Sequence, residues 1–391
     1  MKRLVFSFLS LAVAFLFLSA ISPPYQTKEL EVLIDGQEIL KGELKIDVSH
    51  AIRAEKAGGY HALYLKLLGR YDAKEALNYL AIGLGDRLSA ECERQKIDPL
   101  DAALEWTKNI SAPFIYYEEK SGRAADLAEV GEIVARALDS DSPARAYACT
   151  REVAPDLSIE TLRERTKEIG RFSTTFRTSG ENRRHNLALA ANAISGVTLP
   201  AGARFSFNEI VGERSSERGF RDANVVVNGV YVKGVGGGVC QVSTTLYNAV
   251  LLADLPIEKA AAHSIPVSYV PCSRDCTVSS AIDFVFQNDT PYPLYIAADL
   301  SDSTLTFVLY GEKKEGTRRL ESEIVERIPY QAHYEDGSPV NDPSAATLLS
   351  PGREGIRSRL YALTERPQGV TRTLIRENYY AAKDAVYQKA A

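Results

Sequence analysis

The amino-acid sequence predicts an α+β protein of several domains, with a mainly antiparallel central sheet, a helix after a glycine-rich turn that carries a cysteine, and a small all-β C-terminal module. The length supports several domains, because 391 residues predict two or three folded units. Segments with helical hydrophobic spacing and segments with strand alternation both occur along the chain. The composition, 45% hydrophobic and 25% charged, is typical of a globular protein.

The N-terminal segment has the pattern of an export signal. Two basic residues open the chain, and an uncharged apolar run follows from Leu4 to Ser22. About 20 apolar residues cross a bilayer, so residues 1–28 are predicted to be a signal anchor or a signal peptide. The proline pair that begins at Pro23 disfavours cleavage and favours the anchor. Because the basic residues precede the apolar run, the rest of the chain is expected to be extracytoplasmic.

Residues 29–165 are predicted to form an α+β domain. The alternating residues before and after Asp35-Gly36 predict a hairpin, and apolar spacing beyond Gly59 predicts helices. The later elements are a strand from Pro113 to Tyr117, a helix from about Asp126 to Leu138 and a capped helix from Ser158 to Ile169.

Residues 166–313 are predicted to form the central domain. Its predicted elements are a helix from Glu181 to Ile194, a hairpin at Asn228-Gly229, and strands over Ile265 to Val270, Thr277 to Gln287, Leu294 to Ala298 and Leu305 to Tyr310. After a linker from Gly311 to Thr317, the strand-rich residues 318–391 predict the all-β module.

The most informative segment is the glycine-rich turn that leads to Cys240. Apolar spacing predicts a helix from roughly Gln241, which places Cys240 at a helix N-terminus. The helix dipole and unpaired backbone N–H groups there stabilise a thiolate and can stabilise an oxyanion. Cys240 is therefore the candidate nucleophile, and the candidate oxyanion or substrate-binding residues are Gly236, Gly237, Gly238, Gln241 and Ser243.

A cysteine nucleophile needs a general base, and His263 is the best candidate among the five histidines. It follows the predicted helix closely and precedes a predicted strand, so the chain can return over the helix start. Asp275 or Asp283 could orient it, and spacing does not choose between them. His185 is the reserve candidate.

Other readings of these residues remain open from sequence. Cys240 could be a small buried residue in a tight turn. Four residues could form a Cys₃His zinc site, namely Cys240, His263, Cys272 and Cys276. Their spacing is loose for zinc, and an exported chain more readily oxidises such cysteines, so no metal or other cofactor is expected. Ser243 and Thr244 lack the motif context of hydroxyl nucleophiles.

The five cysteines are an odd number, so one is left over if disulfides form. Pairing of sequence neighbours would join Cys272 to Cys276 and Cys92 to Cys149, and would leave Cys240 free. Spacing alone does not fix this pairing. The net charge of −5 and the absence of a run of lysines and arginines argue against a nucleic-acid partner.

From Phe172 to Gly311 the chain resembles the VanW domain. The residues that carry the resemblance are Phe172-Ser173-Thr174-Thr175, Asn182-Arg183, His185-Asn186, Phe205-Ser206-Phe207-Asn208, Val211-Gly212, the run from Gly236 to Ala249, His263-Ser264, Asp283-Phe284 and Asn288-Asp289-Thr290. Residues from about 60 to 160 resemble the domain assigned to peptidoglycan binding that often precedes VanW. Residues 318–391 resemble the G-five module of bacterial surface proteins.

The resemblance implies a cell-wall protein, anchored in the membrane by its N-terminal segment or secreted to the wall, whose partners are peptidoglycan stem peptides and glycan. It further implies a cysteine L,D-transpeptidase that forms a thioester at Cys240, with His263 as the proton shuttle. The alternative is a non-catalytic wall-binding or scaffolding protein. The loop with Cys272 and Cys276 departs from the expected Pro-x-Gly-x-Asp-Ala-Thr-Val, and its two cysteines resemble a local disulfide clamp.

Overall fold

A computed structural model describes residues 25–140, 143–227, 230–340 and 346–389, and side chains are described except at 226, 227, 230 and 231. The predicted export signal therefore lies outside the described residues, apart from its last few residues, which begin the first strand. Among the described residues, no helix is long and apolar enough to cross a membrane. The chain divides into two compact units.

The first unit contains the described part of Met1–Ala102 together with Glu118–Ser158, and the second contains Ala103–Tyr117 with the described part of Ile159–Ala391. The described helices are α1 (Val48–Ala57), α2 (Tyr60–Leu68), α3 (Ala73–Leu80), α4 (Leu84–Gln95), α5 (Leu127–Leu138), α6 (Ile159–Glu164), α7 (Glu181–Ile194), α8 (Phe207–Val211) and α9 (Val239–Leu252).

The strands follow the same chain order, and both units mix them with helices. They are β1 (Tyr25–Ile34), β2 (Gln37–Asp47), β3 (Ala103–Trp106), β4 (Phe114–Tyr117), β5 (Gly122–Ala124), β6 (Ala144–Ala148), β7 (Arg151–Val153), β8 (Lys167–Thr175), β9 (Val197–Leu199), β10 (Arg204–Ser206), β11 (Asp222–Val227), β12 (Val230–Val235), β13 (Ile257–Lys259), β14 (Val285–Gln287), β15 (Leu294–Ser301), β16 (Thr304–Gly311), β17 (Thr317–Ile328), β18 (Ala332–Tyr334), β19 (Ala346–Ser350), β20 (Gly355–Arg366), β21 (Gly369–Tyr380) and β22 (Ala385–Lys389).

The first unit packs helices on a three-stranded sheet of order β2-β1-β6. The predicted hairpin at Asp35-Gly36 is confirmed: both residues have positive φ, 49° and 79°, as a tight turn between β1 and β2 requires. The predicted helix from Asp126 is confirmed as α5, because the Asp126 side chain accepts hydrogen bonds from the Ala128 and Glu129 N–H groups.

The second unit is built around α9, whose residues are buried on nearly every side. A four-stranded antiparallel sheet of order β8-β16-β15-β9 packs on it, and smaller sheets of order β10-β14-β13 and β11-β12 complete this part. The mainly antiparallel sheet and the helix after the glycine turn are thus confirmed. The helix can lie in the core because its buried polar side chains, among them Gln241, Ser243 and Asn248, have hydrogen-bond partners.

One predicted helix is wrong in its second half. The helix over Ser158 to Ile169 ends as α6 at Glu164, and β8 begins at Lys167. Gly170 was expected to end a helix, but it lies in the strand, where it lets β8 approach α9. A Cβ atom at Gly170 would lie 2.3 Å from the Ala249 carbonyl oxygen.

The close approach at Gly170 gives a stability prediction. Gly170→Ala should lower the free energy of unfolding of the second unit by about 1–3 kcal/mol, because the added methyl must push β8 away from α9. The change can be measured by chemical denaturation with Trp106 fluorescence, since this single tryptophan lies in the second unit. The matched control is Gly180→Ala, whose Cβ would meet no atom within 4 Å. Equal losses in both variants would contradict the packing argument.

One further predicted strand is wrong and another is too long. Ile265 to Val270 is not a strand, and only Val285–Gln287 of the segment from Thr277 is one. Residues 261–284, called the site loop below, are held instead by side chains of α9. Ser243 Oγ donates to the Cys276 carbonyl at 2.6 Å, and Asn248 Nδ2 donates to the Arg274 carbonyl at 2.8 Å. Side-chain partners therefore replace a strand ladder here.

The hairpin β3–β4 lies in the second unit, although its second strand was predicted to belong to the first domain. Its aromatic side chains explain this placement, because Trp106 and Phe114 each pack on Tyr295 of β15, with ring centroids 5.4 and 5.1 Å apart. Burial of these rings outweighs proximity in sequence.

The C-terminal strands form two three-stranded sheets, β17-β20-β21 and β18-β22-β19. They belong to the same compact unit as α9. Leu360 of β20 is fully buried in the hydrophobic core that surrounds α9, and Leu320 and Ile375 pack against that core. The predicted all-β module is therefore fused to the central domain through a shared core.

Candidate active site

Cys240 lies in the first turn of α9. The helix begins at Val239, two residues earlier than the sequence predicted, with Gly238 as its N-cap at a φ of 111°. A side chain at Gly238 would be strained at this φ. The half-buried Cys240 thiol is thus close to the positive end of the helix dipole, which favours a thiolate.

His263 connects Cys240 to Asp275. Its side chain lies near enough to Cys240 for each group to shift the pKa of the other. Its Nδ1 donates to Asp275 Oδ2 at 2.7 Å, and its backbone N–H donates to the same oxygen at 2.7 Å. Because Asp275 occupies Nδ1, Nε2 is left for the sulfur. The structure therefore brings together the predicted nucleophile, the predicted base and one of its two candidate orienting carboxylates.

The three groups shift one another's pKa values. Burial would raise the pKa of Cys240, but the hydrogen bond and charge of His263 outweigh it and lower that pKa below its ordinary value of 9. Burial would likewise lower the pKa of His263, but the hydrogen bonds to Asp275 and Cys240 raise it to about 9. The pKa of Asp275 is lowered, because His263 and Tyr380 outweigh its burial. At neutral pH these shifts favour a thiolate–imidazolium pair beside a carboxylate.

The site loop fixes the position of the sulfur. Cys240 Sγ lies 3.6 Å from Thr277 Oγ1 and 3.4 Å from the Val278 carbonyl oxygen. These contacts, with His263, surround the thiol on the loop side. The free side of Cys240 faces a cleft.

The cleft has a volume of about 1320 Å³ and lies wholly within the second unit. Cys240, His263 and the three glycines all line it. Sequence reasoning missed two further lining residues, Arg214 and Tyr269. Arg214 Nη2 donates to Asn208 Oδ1 at 2.6 Å, and its guanidinium packs on the Phe207 ring. The cleft lining carries charges of both signs, with Arg183 and Arg214 beside Glu181, Glu213 and Asp222.

The glycine turn that lines the cleft carries several backbone N–H groups. The N–H of Gly236 donates to the Arg221 carbonyl, and the N–H groups of Val239 and Gln241 donate within the turn. Within the described part of the chain, no acceptor is found for the N–H groups of Gly237, Gly238 and Cys240. These three donors are candidates for an oxyanion hole.

The side chains of Gln241 and Ser243, predicted to bind substrate, are engaged in hydrogen bonds within the protein. Gln241 lines the cleft, but its amide is engaged with Arg183, Thr174 and Thr175. Ser243 is fully buried, and its hydroxyl donates to the carbonyls of Cys240 and Cys276. Gln241 therefore connects α9 to α7 and β8, and Ser243 connects α9 to the site loop.

The other carboxylate and histidine candidates lie elsewhere in the hydrogen-bond network. Asp283 accepts from Ser206 Oγ at 2.6 Å and from the Asn208 N–H at 2.9 Å, so it stabilises the start of α8. His185 Nε2 bonds to the Gly219 carbonyl and does not line the cleft. Asp275 is thus the carboxylate that contacts His263.

Both predicted disulfides are absent, because all five cysteines are free. Cys276 is fully buried in the core around α9, whereas Cys272 is only half-buried, so the two side chains enter different environments. Cys92 is buried in α4, whereas Cys149 is exposed. The Cys₃His zinc site is also absent: no cluster of three or more metal-ligating side chains is found among the described residues.

Comparison with known proteins agrees with the central motif. The family model described as "VanW like protein" matches residues 182–310. "Uncharacterized protein YoaR" of Bacillus subtilis (strain 168) is 38% identical over 172 residues, which are 44% of this chain and 57% of that protein. "Vancomycin B-type resistance protein VanW" of Enterococcus faecalis (strain ATCC 700802 / V583) is 30% identical over 140 residues, 34% of this chain and 51% of that protein.

The chain thus spans about half the length of these curated relatives. A solved structure titled "Crystal structure of HP0197-G5" matches 20% of this chain and 100% of its own, at 19% identity and a TM-score of 0.13, which supports no structural argument. The G-five resemblance of residues 318–391 stays a prediction. The residues that match the VanW-like family model include Cys240, His263 and Asp275.

Proposed function

We propose that this protein is a cell-wall enzyme of the cysteine L,D-transpeptidase type, with Cys240 as the nucleophile that acts on peptidoglycan stem peptides. The observation that carries the proposal is that Cys240 and His263 line the same open cleft, with His263 hydrogen-bonded to Asp275 and close enough to Cys240 to shift its pKa. A nucleophile, a base and an orienting carboxylate in this order are the parts that covalent acyl transfer needs.

The proposed reaction has two steps. The Cys240 thiolate attacks the carbonyl carbon of the bond to the terminal D-alanine of a donor tetrapeptide, and the N–H groups of Gly237, Gly238 and Cys240 stabilise the oxyanion. His263 gives its proton to the departing amine, so D-alanine leaves and a thioester remains. The acceptor diaminopimelate amine then attacks the thioester, His263 takes up its proton, and the thiolate is restored with the cross-linked product.

Arg214 is a candidate partner for a carboxylate of the donor. Arg214 lies on the cleft wall, and Cys240 acts on it electrostatically. Burial lowers the pKa of Arg214, although an arginine remains charged at neutral pH. We propose that Arg214 pairs with a carboxylate of the stem peptide, which would place the acyl carbon near the sulfur.

The remaining parts of the chain extend the proposal to the wall. The resemblance of the first unit suggests that it binds peptidoglycan glycan, and the N-terminal segment is proposed to tether the protein to the membrane. The relative VanW is named for vancomycin B-type resistance. We carry over from that resemblance only a peptidoglycan substrate.

The direct test incubates the full-length chain, purified in detergent, with tetrapeptide muropeptides and follows products by mass spectrometry. We expect D-alanine release together with cross-linked dimers. Release without dimers would assign carboxypeptidase activity instead. If folded protein releases nothing from stems of either diamino acid type, the transpeptidase proposal fails and the non-catalytic wall-binding protein takes its place.

The pH dependence of turnover follows from the pKa shifts. Since the pKa of Cys240 is lowered from 9 and that of His263 is raised to about 9, both required charges coexist between the two values. We expect D-alanine release to fall as pH rises through about 9, because His263 then lacks the proton for the leaving amine. A rate that kept rising beyond pH 10 would contradict this role for His263.

A further inference from the structure

The C-terminal module contacts the candidate site directly through β21. Tyr380, the last residue of this strand, is fully buried, and its hydroxyl donates to Asp275 Oδ1 at 2.6 Å. The same hydroxyl accepts a hydrogen bond from the Ser273 N–H at 2.8 Å. Asp275 therefore uses one carboxylate oxygen for His263 and the other for Tyr380.

Arg376 of the same strand holds the backbone beside that carboxylate. Its Nε donates to the Ser273 carbonyl at 2.8 Å, and its Nη2 donates to the Asp275 carbonyl. Arg376 Nη2 also lies 3.7 Å from Asp275 Oδ1. The neighbouring strand β20 adds a third contact, since the Ser358 and Ser273 hydroxyl oxygens lie 2.7 Å apart. The segment from Ser273 to Asp275 is thus held at both its backbone and its side chain.

We propose that Tyr380 and Arg376 are positioning residues of the Cys240 site, and that the C-terminal module completes this site by fixing the Asp275 carboxylate against His263. The module is then a required part of the reactive centre, beyond any role in wall attachment. This inference deepens the proposed function and rests on the same Cys240 site.

Because Asp275 is buried, its carboxylate depends on protein donors. Asp275 is 1% exposed, so water cannot replace a lost donor. Burial, and next the charge of Asp275, raise the pKa of Tyr380, so its hydroxyl stays a donor at neutral pH. The ionisable groups that interact with Asp275 are His263, Arg376, Tyr380, Tyr247, Tyr269, Cys272 and Cys276. Of these, Tyr380 and His263 donate side-chain hydrogen bonds to the carboxylate.

The test is the pH profile of Cys240 alkylation by iodoacetamide in the full-length chain, quantified at the Cys240 peptide by mass spectrometry. Tyr380→Phe removes the donor that holds Asp275 Oδ1 in place. The carboxylate can then turn away from His263 and stabilises its imidazolium form less well. We expect alkylation at pH 7 to slow about tenfold and the midpoint to rise by about one pH unit. The matched control is Tyr379→Phe, because Tyr379 is the exposed neighbour on the same strand.

A wild-type profile in folded Tyr380→Phe would overturn the inference. A double-mutant comparison adds a second criterion: in an Asp275→Asn background, Tyr380→Phe should have no further effect, and an undiminished effect there would also overturn it. If Tyr380→Phe does not fold, Arg376→Gln tests the other hold of β21 on this segment, at the Ser273 and Asp275 carbonyls, and should shift the profile in the same direction. Alkylation needs no peptide substrate. If Tyr380→Phe shifts the alkylation profile as expected but the wild-type protein releases no D-alanine, only the proposed function is rejected.

Discussion

Replacement of Cys240 by alanine is expected to abolish D-alanine release from tetrapeptide muropeptides. No other described group occupies the position of the sulfur beside His263, so no thioester can form. Loss of a nucleophile in a comparable catalytic set reduces kcat on the order of 10⁶-fold, which would lie below detection here. The fold should persist, because Cys240 is a small, half-buried residue whose sulfur contacts are few.

The matched control for this variant is Cys149→Ala, which removes an exposed thiol of the first unit. It should keep full activity. Intact-mass spectrometry of the wild-type protein with substrate should also show a covalent adduct that Cys240→Ala lacks. Equal D-alanine release by wild-type and Cys240→Ala proteins would show that the thiol is not the nucleophile.

Replacement of Asp275 by asparagine is expected to reduce turnover by about 10⁴-fold, as loss of the orienting carboxylate does in related catalytic triads. The variant removes the charge of Asp275, which together with Cys240 raises the pKa of His263 to about 9. That pKa should fall toward its unperturbed value of 6.5, so less thiolate–imidazolium pair exists at pH 7. Alkylation of Cys240 at pH 7 should slow in parallel.

Asp283→Asn is the control that separates the two carboxylates. Asp283 accepts from Ser206 and Asn208 at the start of α8, so its loss should lower the free energy of unfolding by about 1–2 kcal/mol. It should leave the pH profile of Cys240 alkylation unchanged, because it does not contact His263. If Asp283→Asn shifted that profile as far as Asp275→Asn, the assignment of the orienting carboxylate would be wrong.

Local patterns identified much of the fold because they depend on neighbours in sequence. The helix over Glu181–Ile194, the helix capped by Asp126 and the Asp35-Gly36 turn all follow from spacing, capping and turn chemistry. Errors arose where a distant contact overrides the local preference. Gly170 resembles a helix end in sequence, but close packing against Ala249 places it in a strand.

The site loop shows the same limit. Its residues alternate as in a strand, yet the hydroxyl and amide side chains of α9 supply its hydrogen bonds. The loop sequence alone does not predict these partners, which lie about 30 residues earlier in the chain. The predicted disulfide between Cys272 and Cys276 failed for a related reason, since the core takes up one of the two side chains.

The sequence by itself identified Cys240 as the candidate nucleophile, because the glycines and the apolar spacing that mark a helix start are local features. It identified His263 as the partner because the chain has only five histidines. It left Asp275 and Asp283 equivalent, and it gave no sign of Tyr380 or Arg376. Only the tertiary structure decided these points. The choice of Asp275 depends on how the site loop folds back on His263, only 12 residues away. Its support comes from side chains more than 100 residues away that meet it in the same compact unit, and sequence spacing carries no information about that contact.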